Sequence, residues 1–161
     1  MSARFSAAAL DTTARVTTWV LWACALGLIV AGVVALQQGA PPAGAILLGA
    51  GGVIAALHAW LRRREPQAFV VEDGALRVER RSGTRRFSGP FRNVRRGKLG
   101  LRVAGDGGGY GYLGRFRAEG RTVSTFVTDR SKVVLLDVGA SALAVSPDDP
   151  DRFVEEASRG A

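Results

Sequence analysis

The sequence predicts a two-helix membrane hairpin followed by a small, mainly β domain. That domain is a curved antiparallel sheet of seven or eight strands, a partly closed barrel capped by a C-terminal helix. Three observations carry this. From Val16 to Leu61 there are 46 consecutive residues without Asp, Glu, Lys or Arg. All but three of the 36 charged residues then follow, in short alternating segments separated by Gly, Asp and Ser turns. After Asp149 the apolar period changes from two to that of a helix.

Composition sets the outer limits. At 161 residues and 17.0 kDa, with mean hydropathy +0.12, the chain is too short for a multi-domain enzyme. The last 100 residues are enough for one modest core. A single Cys excludes an internal disulfide and a cysteine-based zinc site, and a single His excludes a multi-histidine metal cluster.

Residues 1–15 read as a cytoplasmic N-terminal segment and 16–61 as a hairpin of two spans, 16–36 and 43–61. The first span is 21 residues, about 30 Å of helix, which matches the hydrocarbon thickness. It is longer than a signal-peptide core, and a second span follows it directly. Between the spans, Gln37-Gln38-Gly39-Ala40-Pro41-Pro42 has turn chemistry, with two prolines expected to stop a helix. Arg4 and Arg15 precede the hairpin and Arg62-Arg63-Arg64 follow it, while the turn is uncharged. The bias predicts a multi-pass protein of the inner (cytoplasmic) membrane with both termini in the cytoplasm. Trp19, Trp22 and Trp60 all fall toward the same leaflet, in agreement. Small residues recur at four-residue spacing (Ala23, Gly27, Ala31, Ala35; Ala45, Gly49, Gly52, Ala56), predicting close packing of the two spans, with self-association through them as the alternative. His58 is read as a neutral interfacial histidine, since neither span holds an acidic partner for a proton relay. Cys24 is read as a small apolar residue in mid-membrane.

Residues 62–66 read as a basic linker and 67–161 as the β domain. Ala68–Glu72 meets the hairpin dipeptide Asp73-Gly74, and Leu76 and Val78 alternate with Arg77 and Glu79. Ser82-Gly83 turns into Thr84–Phe87. Arg92–Gly100 reads as irregular, followed by a weak strand at Leu101–Val103 and a flexible loop at Gly105–Gly109. Arg115–Ala118 turns at Glu119-Gly120 into Thr122–Val127. Thr128–Ser131 then turns into Val133–Leu136, and Ala142–Val145 is the last strand. Asp149-Pro150 opens a helix as N-cap and first helical position, with Phe153, Val154 and Ala157 on one face.

Phe116, the turn Thr128-Asp129-Arg130-Ser131 before Val133-Val134-Leu135-Leu136, and Ser146-Pro147-Asp148-Asp149-Pro150-Asp151-Arg152-Phe153 together resemble the bacterial pleckstrin-homology-like (PH-like) domains. The resemblance covers Gln67–Ser158 and is most specific in the last 40 residues. Members often carry one or two spans before the domain. The resemblance implies a curved antiparallel sheet with a C-terminal capping helix, and it transfers no catalytic residue. Ala142 and Ala144 stand where the family usually has bulkier residues.

Gly109-Tyr110-Gly111-Tyr112-Leu113-Gly114 matches G-x-G-x-x-G but precedes a strand instead of opening a helix, so it is read as a coincidence of a glycine-rich chain. No cofactor is expected. The β domain has neither His nor Cys, which removes the common nucleophile–base pairs, and no catalytic residue is assigned. Asp148, Asp149 and Asp151 fit helix capping better than a metal site, and no metal is assigned. Between Arg62 and Arg102 there are thirteen basic residues against four acidic; beyond, seven against nine. Arg62, Arg63 and Arg64 are placed at the bilayer surface, and Arg80, Arg81, Arg85 and Arg86 flank one hairpin turn, so these seven are the candidate contacts to anionic lipid. Nucleic acid is not an expected partner, because the soluble helix is acidic. The leading expectation is a membrane-anchored, non-catalytic scaffold for an unidentified protein partner that adds a strand to a sheet edge. The alternative is an anionic-lipid sensor acting through the arginine-rich face.

Overall fold

The computed structural model describes residues 2–159. Met1, Gly160 and Ala161, at the outer ends of the predicted N-terminal segment and β domain, lie outside the described residues.

The two helices are long and apolar enough to cross a membrane: α1 at Thr12–Gln37 and α2 at Pro41–Arg64. Both outrun the predicted spans for local reasons. The Asp11 carboxylate caps α1 by accepting from the Ala14 N–H at 2.8 Å, which moves the helix start forward. Pro41 and Pro42 open α2, where a missing N–H costs nothing. The predicted basic linker shrinks to Glu65, because Arg62–Arg64 complete α2 and its C-terminal dipole favours them.

The small-residue stripes do not pack the helices together. Gly27, Gly49 and Gly52 have nothing within reach of a Cβ, and Ala23, Ala31, Ala45 and Ala56 are exposed. The contact instead uses Ala25 and Gly32 against Gly44 and Gly51. A Cβ on Gly51 would sit 2.7 Å from the Ile29 side chain and 3.0 Å from the Ala25 carbonyl. Steps of four residues drift about 40° around a helix, whereas steps of seven drift only about 20°. Only the seven-residue rows stay in the seam.

Among the described residues, ten strands form two sheets. The first has the order β1 (Ala3–Ser6), β2 (Pro66–Glu72), β3 (Ala75–Arg80), β4 (Gly83–Ser88). The second runs β5 (Phe91–Arg96), β9 (Val134–Val138), β10 (Ser141–Val145), β8 (Arg121–Val127), β7 (Tyr112–Ala118), β6 (Arg102–Gly107). The barrel is not closed. The count exceeds the seven or eight predicted because β1 lies ahead of the hairpin, where residues 1–15 gave no strand pattern, and because β5 occupies the stretch read as irregular. Strand β5 is polar and bulged, with Asn93 at φ 52°, which hides its period. One pair, β8 with β10, is parallel. Glu119-Gly120 makes its predicted turn with both residues at positive φ.

Between the sheets, Phe69, Leu76, Val78 and Phe87 meet Phe126, Val134, Leu136, Leu143 and Val145. Helix α3 (Pro150–Arg159) plugs one end with Phe153, whose ring stands edge-on to Phe5 at 5.1 Å. The second sheet is buried on its other face too, where Val123, Val127, Val133, Leu135 and Ala144 pack under Leu99. This explains the unbroken run Val133–Leu136. Ala144 is small because it belongs to this second layer.

Candidate functional site

The family-like turn residues build a joint. Ser146 and Thr128 are buried, with hydroxyls 3.0 Å apart. Ser146 Oγ accepts from the Thr128 N–H at 2.7 Å, and Thr128 Oγ1 donates to the Ala8 carbonyl at 2.6 Å. The Ala8 N–H returns a bond to the Ser146 carbonyl at 2.8 Å, and the Asp11 N–H donates to the Thr128 carbonyl at 3.1 Å. The N-terminal segment is thus sewn into the β domain immediately before α1. A third tie comes from the loop after β6. Thr18 donates to the Gly109 carbonyl, and the Tyr110 ring packs on His58, with centroids 4.8 Å apart. His58 also meets Trp22 at 4.7 Å and is 2% exposed.

A cleft of about 510 Å³ opens where the barrel fails to close, between the free edges β4 and β6 and the end of α2. The inner rows of the first sheet continue into it. Leu76 and Val78 are followed on the same face by Arg80, and Phe87 is preceded by Arg85. Arg64 joins from α2, stacked 3.6 Å over Trp60, with Arg102 and Arg115 from β6 and β7. The Arg85 guanidinium lies 5.0 Å from the Phe87 ring centroid. None of these five arginines has an ion pair among the described residues. The single carboxylate in the lining, Asp106, is occupied by the Gly109 and Tyr110 N–H groups at 3.2 and 3.4 Å. Burial, reinforced by Arg85 and Arg64 nearby, pulls Arg80 below the usual arginine value, and its Nε has no hydrogen-bond partner. Arginine remains cationic in proteins, so the cleft concentrates unneutralised positive charge with bidentate donors.

The structure divides the seven predicted arginines. Arg64, Arg80 and Arg85 line the cleft. Arg81 pairs with Glu65 at 3.1 Å, and Arg86 faces the other side of the sheet beside Glu72 at 3.7 Å. Arg62 lies on a different face of α2, and Arg63 is exposed beyond both. The arginines flanking the Arg80–Arg86 turn thus fall on two sides of one hairpin, as strand alternation requires. Arg102 and Arg115 were missed because only long-range folding brings them opposite β3 and β4. Among the described residues no cluster of three or more His, Cys, Asp or Glu could hold a metal. The G-x-G-x-x-G glycines serve the backbone: Gly111 and Gly114 have positive φ at crowded strand crossings.

No curated protein and no solved structure matches the chain. A family model described as "Bacterial PH domain" matches residues 69–160, from β2 to the end of α3. PH domains are generally non-catalytic binding modules. That match covers more than half of the sequence, and with the sheet pair and capping helix in place, the chain belongs to the bacterial PH domain family.

Proposed function

We propose that this protein is a membrane-anchored binding module whose arginine cleft grips an anionic lipid headgroup at the cytoplasmic surface of the bilayer its hairpin spans. One observation carries the reading. Five guanidiniums without carboxylate partners converge beside Trp60 and Leu61, at the end of α2 that meets the headgroup region. Arg80 is half-buried and the other four are exposed, so their unneutralised charge is open to an anion that enters the cleft. The cytoplasmic side follows from Arg4, Arg15 and Arg62–Arg64 against an uncharged hairpin turn. Pairing of β1 with β2 supports a common side for both ends of the hairpin. The role is binding, without catalysis.

A second reading, a protein scaffold, is favoured by the open edge of β6. There Val103, and Leu101 just before the strand, are 54% and 81% exposed, and an added strand would cover them.

The test uses the full chain in nanodiscs of phosphatidylcholine, titrated with dihexanoyl phosphatidate while amide exchange is followed. The expected result is protection across β3, β4 and β6 that weakens with salt. Affinity should fall about thirtyfold in Arg80→Gln/Arg85→Gln, at about 1 kcal/mol per basic residue. Equal binding by the double variant overturns the lipid reading.

A further inference from the structure

A second cavity, of about 780 Å³, lies against the hairpin and shares no lining residue with the arginine cleft. Its walls follow one stripe of α1 at helical spacing: Arg15, Thr18, Trp19, Trp22, Leu26 and Ile29. Ala55 and Arg62 of α2 form the opposite wall, with Tyr110 above. From Arg15 to Ile29 the stripe runs 14 residues, about 21 Å, which exceeds the ~15 Å depth of one hydrocarbon leaflet. The groove therefore reaches from the headgroup level to the bilayer centre.

Its chemistry changes along that path. The deep part is apolar. Trp19 and Leu26 are 70% and 62% exposed and give an acyl chain apolar surface to lie along. The upper part holds Arg15, Arg62, Arg81 and Glu65. Arg81 and Glu65 satisfy each other at 3.1 Å, which leaves Arg15 and Arg62 as two cations without a carboxylate among the described residues. Trp19, one turn below Arg15, sits at the depth that interfacial tryptophans favour.

We propose that this groove is a binding site for one phospholipid of the leaflet facing the β domain. Its phosphodiester lies against Arg15 and Arg62, and an acyl chain lies along Trp19, Trp22, Leu26 and Ile29. A phosphodiester carries one negative charge and matches two forked guanidiniums. The alkyl chain supplies the apolar contact that the stripe lacks. The lipid fills the seam between hairpin and domain, because Tyr110 and Arg81 of the groove belong to the β domain while most of the remaining wall belongs to the helices. It is a structural lipid, distinct from any headgroup held in the cleft.

The experiment is native mass spectrometry of the full chain released from nanodiscs of phosphatidylcholine containing phosphatidylglycerol, at increasing collision energy. The wild type should keep one phosphatidylglycerol after the bulk lipid is stripped. Arg15→Gln/Arg62→Gln should weaken retention about thirtyfold, two basic contacts being lost. Arg4, Arg63 and Arg64 remain in that variant to hold the topology. Ala55→Phe, which fills the groove and leaves every charge in place, should lower retention as well. Arg80→Gln/Arg85→Gln should retain the groove lipid whether or not the cleft reading holds, so the two proposals fail separately. Unchanged retention in both groove variants, with helical circular dichroism intact, overturns the proposal. So does loss of the lipid only in the cleft variant.

Discussion

Removing one hydroxyl from the joint between anchor and domain tests the account most sharply. Thr128 has one hydroxyl proton, and the Ala8 carbonyl takes it at 2.6 Å. Ser146 must then donate to Thr128 Oγ1, which leaves the Ser146 lone pairs for the Thr128 and Asp129 N–H groups at 2.7 and 3.4 Å. Every polar atom in this buried knot is satisfied, and Ser146→Ala breaks that balance. It strands a Thr128 N–H on a residue 1% exposed. A buried donor left unmade costs about 1–3 kcal/mol, so about 2 kcal/mol is expected. The three tryptophans all lie in the hairpin, so their fluorescence is a poor probe of this joint. Amide hydrogen exchange of the full chain in nanodiscs reads it directly. Protection of the Ala8 and Asp11 amides should drop about thirtyfold, and Thr128→Ser, which keeps its hydroxyl, should preserve most of it. A drop below about threefold in Ser146→Ala would refute the assignment of the knot as the element that fastens the N-terminal segment.

Two further outcomes follow from geometry and charge. Gly51→Leu forces a side chain into Ile29 and the Ala25 carbonyl and should lower the melting temperature of the hairpin in detergent; Gly49→Leu, facing open space, should leave it unchanged. At Asp137, burial opposes ionisation, but hydrogen bonds from Arg121 and Asn93 outweigh it and hold the carboxyl below its usual value. A depressed native pKa stabilises the fold above the unfolded value of about 3.9 and is lost as pH falls through the native one. Exchange protection of β9 should therefore decline on acidification below about pH 4, with a shallower slope in Asp137→Asn.

The sequence made the hairpin legible because charge absence over 46 residues is a property of every position and needs no partner. The C-terminal helix was equally plain, since Asp149 and Pro150 mark its start locally. Strands with strict alternation, such as the one carrying Leu76 and Val78, could be read; β5 could not, because its bulge breaks the period and only Phe91 and Val94 face inward. Strand β1 was hidden for another reason. Four residues ahead of a membrane helix become a strand only because β2, some 60 residues later, offers an edge. The cleft follows the same rule. Its Arg80–Arg85 half is one hairpin and could be suspected from composition, whereas the Arg102–Arg115 half arrives through the second sheet. Non-local placement also decided the helix seam, where local small-residue counting chose the wrong rows.

The ties described above bear on how such a module works. A domain on a flexible linker must search for its ligand, and its tether sets only an effective concentration. Here a single residue, Glu65, separates α2 from β2, while β1, the Asp11 cap and the Tyr110 loop hold the other flank. The cleft mouth therefore stands at a fixed height beside Trp60, with no swinging freedom to lose on binding. Ordering entropy normally subtracts from affinity, and a pre-positioned cleft avoids most of that loss. On the proposed lipid reading, a weak intrinsic grip by Arg80, Arg85, Arg102 and Arg115 suffices, because the bilayer would present headgroups continuously at that height. Freeing the loop by Tyr110→Gly should leave the arginines in place yet weaken headgroup capture. That outcome separates positioning from charge as the source of binding.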